Sequence, residues 1–227
     1  MSNVTKKYEL VPDDTIKLSD GTILYRIRAL NAFSDIKPGD LGGYVEKKSN
    51  LGVSGNAWVY EDARVYGNAR VYGNAKVSDN ARVYGDALLF GNAEVFGNAR
   101  VSGNAQVGGN AWVYEDAHVC GNAWVYGNAR VFGNAEVFGD AQVGGDAQVF
   151  GGTWKVSPLQ IQGTKWSLNM ASKTVLRIGC LKHEIPVWLE QYQQIGREYG
   201  ATEAEVQEYL LYIELAAKLY GERGETQ

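Results

Sequence analysis

From Gly55 to Phe150 the chain keeps one rhythm of apolar and polar positions, G-N-A-x-V-x, through 96 uninterrupted residues, or 16 hexads. The third position is Ala in all 16, and the fifth is Val in 15, with Leu89 the exception. The second is Asn or Asp in all 16; the first is Gly in 13, replaced by Glu61, Asp79 and Glu115. Side chains alternate faces along a strand, so A-x-V sends Ala and Val into a core and the residue between them outward. The x-G-N that follows tolerates positive φ and so turns a corner. A short strand and a corner every six residues describe one side of a coil. Three sides make an 18-residue triangular rung, and rungs stack about 4.8 Å apart by parallel hydrogen bonding. A narrow interior explains the invariant Ala, and stacked corner Asn residues predict side-chain amide ladders.

The flanks are not periodic. Residues 8–30 predict a β-hairpin with its turn at Ser19-Asp20-Gly21, placed to cover the open start of the coil. The coil is expected to begin near Leu41, with Val45, Leu51 and Val53 on the inward frame. After Phe150 the phrase decays: Thr153 and Lys155 hold the frame, Leu159 and Ile161 restore it, and the coil ends near Gly163. Residues 172–180, SKTVLRIGC, read as one closing strand. Residues 185–200 predict a helix with Pro186 in its first turn and Gly200 at its stop. Thr202-x-x-Glu205 is a capping box opening a second helix that runs to Gly221. Its apolar face is read as Val206, Leu210, Ile213, Leu215, Ala217 and Leu219. The two helices either cap the coil or form a separate oligomerisation module. The expected organisation is mainly β: hairpin cap 1–40, β-helix 41–162, closing strand 163–183, helical hairpin 184–221 and tail 222–227.

Composition narrows the function classes. At 227 residues and 45% hydrophobic content the chain can bury a sizeable core, drawn out as a solenoid. A net charge of −4 argues against general nucleic-acid binding. There is no apolar run of membrane length, and MSNVTKKYEL lacks a secretory h-region, which predicts a cytoplasmic protein with no membrane partner. Cys120 and Cys180 form neither a disulfide framework nor a zinc pattern. Cys180 and His183 are spaced like a ligand pair, but two ligands make no site, and no metal is expected.

The phrase GNAWVYEDA recurs from Gly55 and from Gly109, a 54-residue shift that keeps the phase of an 18-residue rung. Outward columns can therefore be read in steps of 18. One holds Arg64, Arg82, Arg100, His118 and Glu136. A second holds Trp58, Lys76, Glu94, Trp112, Arg130 and Gln148, and a third Arg70, Leu88, Gln106, Trp124 and Gln142. Tyr or Phe follows most of the valines, from Tyr60 and Tyr66 to Phe138 and Phe150. These rings either stack on one another along the prism or form subunit contacts. The arginine column is either a solvated charged face or an anion site. With Trp58, Trp112 and Trp124 it suits phosphate beside a stacked ring, as in a nucleotide.

V-x-G-N-A-x resembles the hexapeptide repeat of left-handed parallel β-helices, with Val at the aliphatic position and Ala at the small one. That resemblance implies left-handed coils and side-by-side packing, a homotrimer first and a dimer next. It also implies an alternative: many such proteins are acyltransferases with a histidine base and a pantetheine cofactor, here His118 with acetyl-CoA. His118, however, stands where Arg stands in three preceding rungs, and no loop leaves the coil to build an acceptor pocket. With LYRIRAL, GDLGGYVE and the terminal IGC-x-x-H before a helix pair, the chain is similar to YdcK-type β-helical proteins of phages and prophages. Those carry acetyltransferase or polymer-forming cytoskeletal labels. The resemblance and the columns together predict an oligomeric phage-type accessory protein, acting in the host cytoplasm. It would need no cofactor and would hold an anionic small molecule, such as a signalling nucleotide, in inter-subunit grooves. A scaffold for protein partners is the alternative binding class.

Overall fold

The computed structural model describes residues 6–221, so the tail expected at 222–227 lies outside the described residues. The hexads form a parallel β-solenoid with three sheets along its sides. Each A-x-V contributes a short strand, two residues long except for Arg70–Gly73, and within the coil it pairs in register with strands 18 residues away, as in Leu88–Leu89 between Arg70–Gly73 and Gln106–Val107. The Ala of every hexad and its Val, or Leu89 in the one exception, are buried, almost all of them completely. Burying one Val contributes roughly 1.5–3 kcal/mol, so the repeated Val column is the main apolar stabilisation.

The corners explain the polar half of the phrase. Gly109 has φ 70°, and a Cβ there would lie 2.9 Å from the Gly127 carbonyl oxygen one rung on. Glu61, Asp79 and Glu115 occupy the same left-handed conformation at φ 53°, 59° and 59°. Each reaches the backbone N–H of the next rung with its carboxylate: Asp79 N–H donates to Glu61 at 3.0 Å, Gly97 N–H to Asp79 at 2.7 Å, and Gly133 N–H to Glu115 at 2.8 Å. The amide ladders are present. Asn74, Asn92 and Asn110 each donate to the next Oδ1 at 3.0 Å, and Asn128 donates to Asp146 at 2.9 Å.

The two ends are closed with opposite chemistry. At the start, strands Tyr8–Lys17 and Ile23–Ala29 form the hairpin, and the second strand pairs antiparallel with Leu41–Val45, which then runs parallel to Arg64–Val65. First-rung carbonyls with no rung before them receive side-chain donors. Lys7 Nζ reaches the oxygens of Gly55 at 3.0 Å and Ala57 at 2.6 Å. Arg26 Nη1 reaches Glu61 at 3.1 Å, and Asn50 Nδ2 reaches Gly67 at 3.1 Å and Ala69 at 2.9 Å. At the far end, backbone amides with no rung after them meet side-chain acceptors. Gln142 N–H donates to Ser157 Oγ at 2.9 Å, Gly144 N–H to Gln160 Oε1 at 2.9 Å, and Gln148 N–H to Asn169 Oδ1 at 3.3 Å.

Three expectations at the edges are corrected. Val53 is half exposed, because the strand Leu51–Gly55 slips register against Arg70–Gly73 between its two paired positions. Past Phe150 the step shortens by one residue, so Val137 pairs with Trp154. Trp154, buried at 1% exposure, then plugs the core in place of the expected frame residues Thr153 and Lys155, which are exposed. The single closing strand is instead part of a four-stranded antiparallel sheet of Gln160–Gln162, Ser167–Met170, Val175–Ile178 and Leu181–Glu184.

Helices α1 (Ile185–Glu198) and α2 (Glu203–Ala216) pack on that sheet, and a π-helical turn Ala217–Gly221 follows. The Thr202–Glu205 capping box forms in both directions. The buried face of α2 is Val206, Tyr209, Ile213 and Ala216, whereas Leu215 faces outward. Trp188 Nε1 donates to the Leu176 carbonyl at 2.8 Å, Tyr209 Oη to the Trp166 carbonyl at 2.7 Å, and Tyr220 lies edge-on to the Trp154 plug. The helices therefore cover the end of the coil through the terminal sheet.

Candidate functional site

The column Arg64, Arg82, Arg100, His118 and Glu136 lies on one side of the coil, each residue paired in register with the next. Arg82 and Arg100 are exposed and Arg64 is half-buried. Among the described residues no carboxylate lies within 4.0 Å of these three guanidinium groups. Neighbouring guanidiniums repel by roughly 1 kcal/mol per pair at about 5 Å in water, so the column is a standing concentration of positive charge on an acidic protein.

His118 leans back from the column. Its Nε2 is 3.4 Å from Ser102 Oγ, and Ser102 is buried. Burial pushes the imidazole pKa below its ordinary value, the Arg100 charge pushes it further, and Glu136 opposes both. Cys120 follows directly after the same strand, and burial raises its thiol pKa, with Glu136 adding to the shift, so the thiol form is favoured.

The three tryptophans do not join this column within one chain. Trp58 belongs to a different sheet and is fully buried, with Tyr8 6.2 Å and Phe33 5.3 Å away edge-on. It is a packing residue under the N-terminal cap and is corrected as a ligand contact, because Tyr8 of the hairpin and Phe33 beyond it pack on its ring and leave it no exposed surface. Trp112 lies on that same second sheet, with the Arg130 guanidinium 4.7 Å above its ring. Trp124 is on the third sheet, exposed and tilted against Tyr126 at 4.7 Å. Only surfaces from two chains packed side by side would bring Trp112 or Trp124 to the arginine column.

The aromatic neighbours of the column are tyrosines. Tyr66 and Tyr84, next but one after Arg64 and Arg82 in the same strand–corner units, stack at 5.1 Å with a 4° interplanar angle. Burial raises the Tyr66 pKa, while the charges of Arg82 and Arg64 pull it the other way, so both guanidiniums act on this ring. On another edge Phe96, Tyr114 and Phe132 stack at 4.9 Å intervals, and Phe150 follows at 6.0 Å. Much of the aromatic surface is thus used within the chain.

A second cationic group, missed in the sequence, forms where the terminal sheet meets the coil. It comprises Arg130 from the coil and Lys165, Arg177 and Lys182 from the segment beyond it. The signal was the hairpin VLRIGCLKH: a two-residue Gly179-Cys180 turn sets Arg177 directly opposite Lys182. Cys180 is exposed and His183 packs edge-on against Trp188 at 5.0 Å. Among the described residues no cluster of three or more His, Cys, Asp or Glu is arranged to hold a metal. None of the described helices is long and apolar enough to cross a membrane.

The sheets, the in-register columns and the capped ends define a β-solenoid repeat protein. Residues 63–78, 93–109 and 105–121 match the family model of the YdcK beta solenoid repeat, so these rungs of the coil are similar to repeats of that type. No curated protein matches the chain.

Proposed function

We propose that this solenoid is a non-enzymatic binding protein whose Arg64–Arg82–Arg100 column holds an anionic ligand between copies packed side by side. The observation that carries the reading is the in-register column of three guanidiniums without a carboxylate partner among the described residues. An anion relieves their mutual repulsion, and guanidinium forks match phosphate oxygens two at a time. Tyr66 and Tyr84 offer ring faces beside the same strands, which suits a phosphate-bearing ring compound, and a nucleotide is the candidate. In a phage-type setting, sequestering a cytoplasmic signalling nucleotide needs affinity and no turnover. Side-by-side packing into a trimer, or a dimer, supplies the opposing wall of the groove, with Trp112 or Trp124 of the neighbouring copy.

Native mass spectrometry of protein purified gently at low salt tests this. An oligomer carrying a discrete extra mass, lost in Arg82→Glu while oligomer size is kept, is the expected result. An oligomer that retains no small molecule would instead favour a scaffold for protein partners. A second reading, acyl transfer from acetyl-CoA with His118 as base, draws on the neutral imidazole beside Ser102. It requires acetyl-CoA turnover that disappears in His118→Ala.

A further inference from the structure

Arg130, Arg177 and Lys182 are held close together, although Arg130 is far from the other two in sequence. Arg177 and Lys182 are directly opposite on adjacent antiparallel strands, a pairing that destabilises a sheet unless something compensates. The charges of Arg130 and Arg177 both act on Lys182; that of Arg130 also acts on Arg177, where the opposing charge of Asp146 is the stronger influence. Among the described residues none of the three has a carboxylate within 4.0 Å.

Aromatic faces hold these cations in place without neutralising them. Lys182 Nζ lies 5.2 Å from the Phe132 ring centroid and 5.5 Å from that of Phe150, the last two rings of the ladder. The Arg130 guanidinium lies 4.7 Å from the Trp112 centroid, and Lys165 Nζ lies 4.9 Å from that of Trp166. Such contacts orient a cation and leave its charge available to a ligand. Arg177 is fixed further by donating from Nη1 to the Asp146 carbonyl at 2.9 Å.

The space between them is concave. A pocket of about 430 Å³ is lined by Arg130, Lys165 and Arg177 together with the amides of Asn128, Gln148 and Gln162. Asp146 is its carboxylate, and Asn128 Nδ2 already donates to Asp146 Oδ1 at 2.9 Å. The much smaller apolar cavity between the terminal sheet and the helices, about 40 Å³, offers no such chemistry: its lining is Trp166, Ile178, Trp188, Ile213 and similar side chains.

We infer that the junction of coil and terminal sheet is a binding site for a compact polyanion bearing two or more linked phosphates, with Arg130 and Arg177 as its bidentate contacts. Two forks facing one pocket match the several oxygens of a diphosphate, and the surrounding amides supply neutral donors. Because the cations are already positioned, little side-chain entropy is lost on binding. This site uses none of the Arg64–Arg82–Arg100 residues and stands independently of the reading above.

Calorimetric titration of the full chain with inorganic pyrophosphate at low salt tests it. One site per chain is expected, with inorganic phosphate binding at least about tenfold more weakly. Arg130→Gln and Arg177→Gln should each weaken pyrophosphate binding by about tenfold or more, one lost charge-assisted pair each, and Arg82→Gln should leave it unchanged. Arg177 also ties the terminal sheet to the coil, so the exposed Arg130 is the decisive variant, with its melting curve recorded alongside. Equal affinity for phosphate and pyrophosphate would reduce the site to a counter-ion patch and overturn the inference. So would binding that is lost in Arg82→Gln yet intact in Arg130→Gln.

Discussion

Asn128 donates its side-chain amide to Asp146 Oδ1 at 2.9 Å, and there the ladder stops, because a carboxylate accepts but has no proton to pass on. Every described Asn step runs in this direction, donor below and acceptor above. Asp86, Asp116, Asp140 and Asp146 each stand at the upper end of a run.

An Asp placed mid-run should therefore be worse than one at an end. Asn110→Asp keeps the bond from Asn92 but sets a carboxylate against Asn128 Oδ1. It is expected to lower stability by about 1 kcal/mol, whereas Asp140→Asn stays within about 0.5 kcal/mol. Urea unfolding of both variants checks the asymmetry; equal effects would contradict a directional ladder.

Corner glycines should differ by what stands above them. Gly109→Ala combines left-handed strain with a Cβ 2.9 Å from a carbonyl oxygen, whereas a Cβ at Gly145 meets nothing within 4 Å. Both carry the roughly 1 kcal/mol penalty of positive φ. Gly109→Ala should lose clearly more, as a larger fall in melting temperature.

Ring stacking should scale with the number of partners. Tyr114 stacks between Phe96 and Phe132, while Tyr66 has the single stacked partner Tyr84 among the described residues. At about 0.5–1.5 kcal/mol per aromatic pair, Tyr114→Ala should destabilise by roughly twice as much as Tyr66→Ala. Similar losses at the two positions would argue against the stack as the source.

Lys7 predicts a pH dependence. Burial pushes its pKa from 10.5 down to about 8. Between those values the unfolded chain holds a proton that the folded chain lacks, so this group's contribution to stability rises with pH. The stability of the wild type relative to Lys7→Met should increase from about pH 8 to pH 10, by up to about 1.4 kcal/mol per pH unit. Tyr8 and Tyr60, with pKa values raised by burial to about 12, act the other way above pH 10, and both proteins share that loss. A difference that stays flat from pH 8 to pH 10 would show that Lys7 is not buried as a base.

The coil was legible because each hexad repeats one solution, and stepping by 18 recovered which side chains share a column. The ends were not, because they rest on contacts with no period. Lys7 finds carbonyls 48 and 50 residues away, and Trp154 enters the core through a one-residue slip that the spacing of Thr153 and Lys155 concealed. Trp58 was placed on its column correctly, but nothing in the phrase announces that Tyr8 and Phe33 cover it. In α2 an alternative apolar set, Leu210 and Leu215, masked the true face through Tyr209 and Ala216. The second basic group was invisible for a related reason: Arg130 and Arg177 belong to different sheets that only the chain's return brings together.

The caps also act as a ruler. A solenoid has no intrinsic length, since each rung is the template for the next, and an open rung invites a second coil to continue it along the axis. Here the start is saturated with side-chain donors and the end with side-chain acceptors, so the groups that would join two rods head to tail are consumed within one chain. The repeat is closed off at both ends, and the long flanks are the faces left uncovered. The described chain is therefore a rod whose height is set by its two caps rather than by the repeat itself.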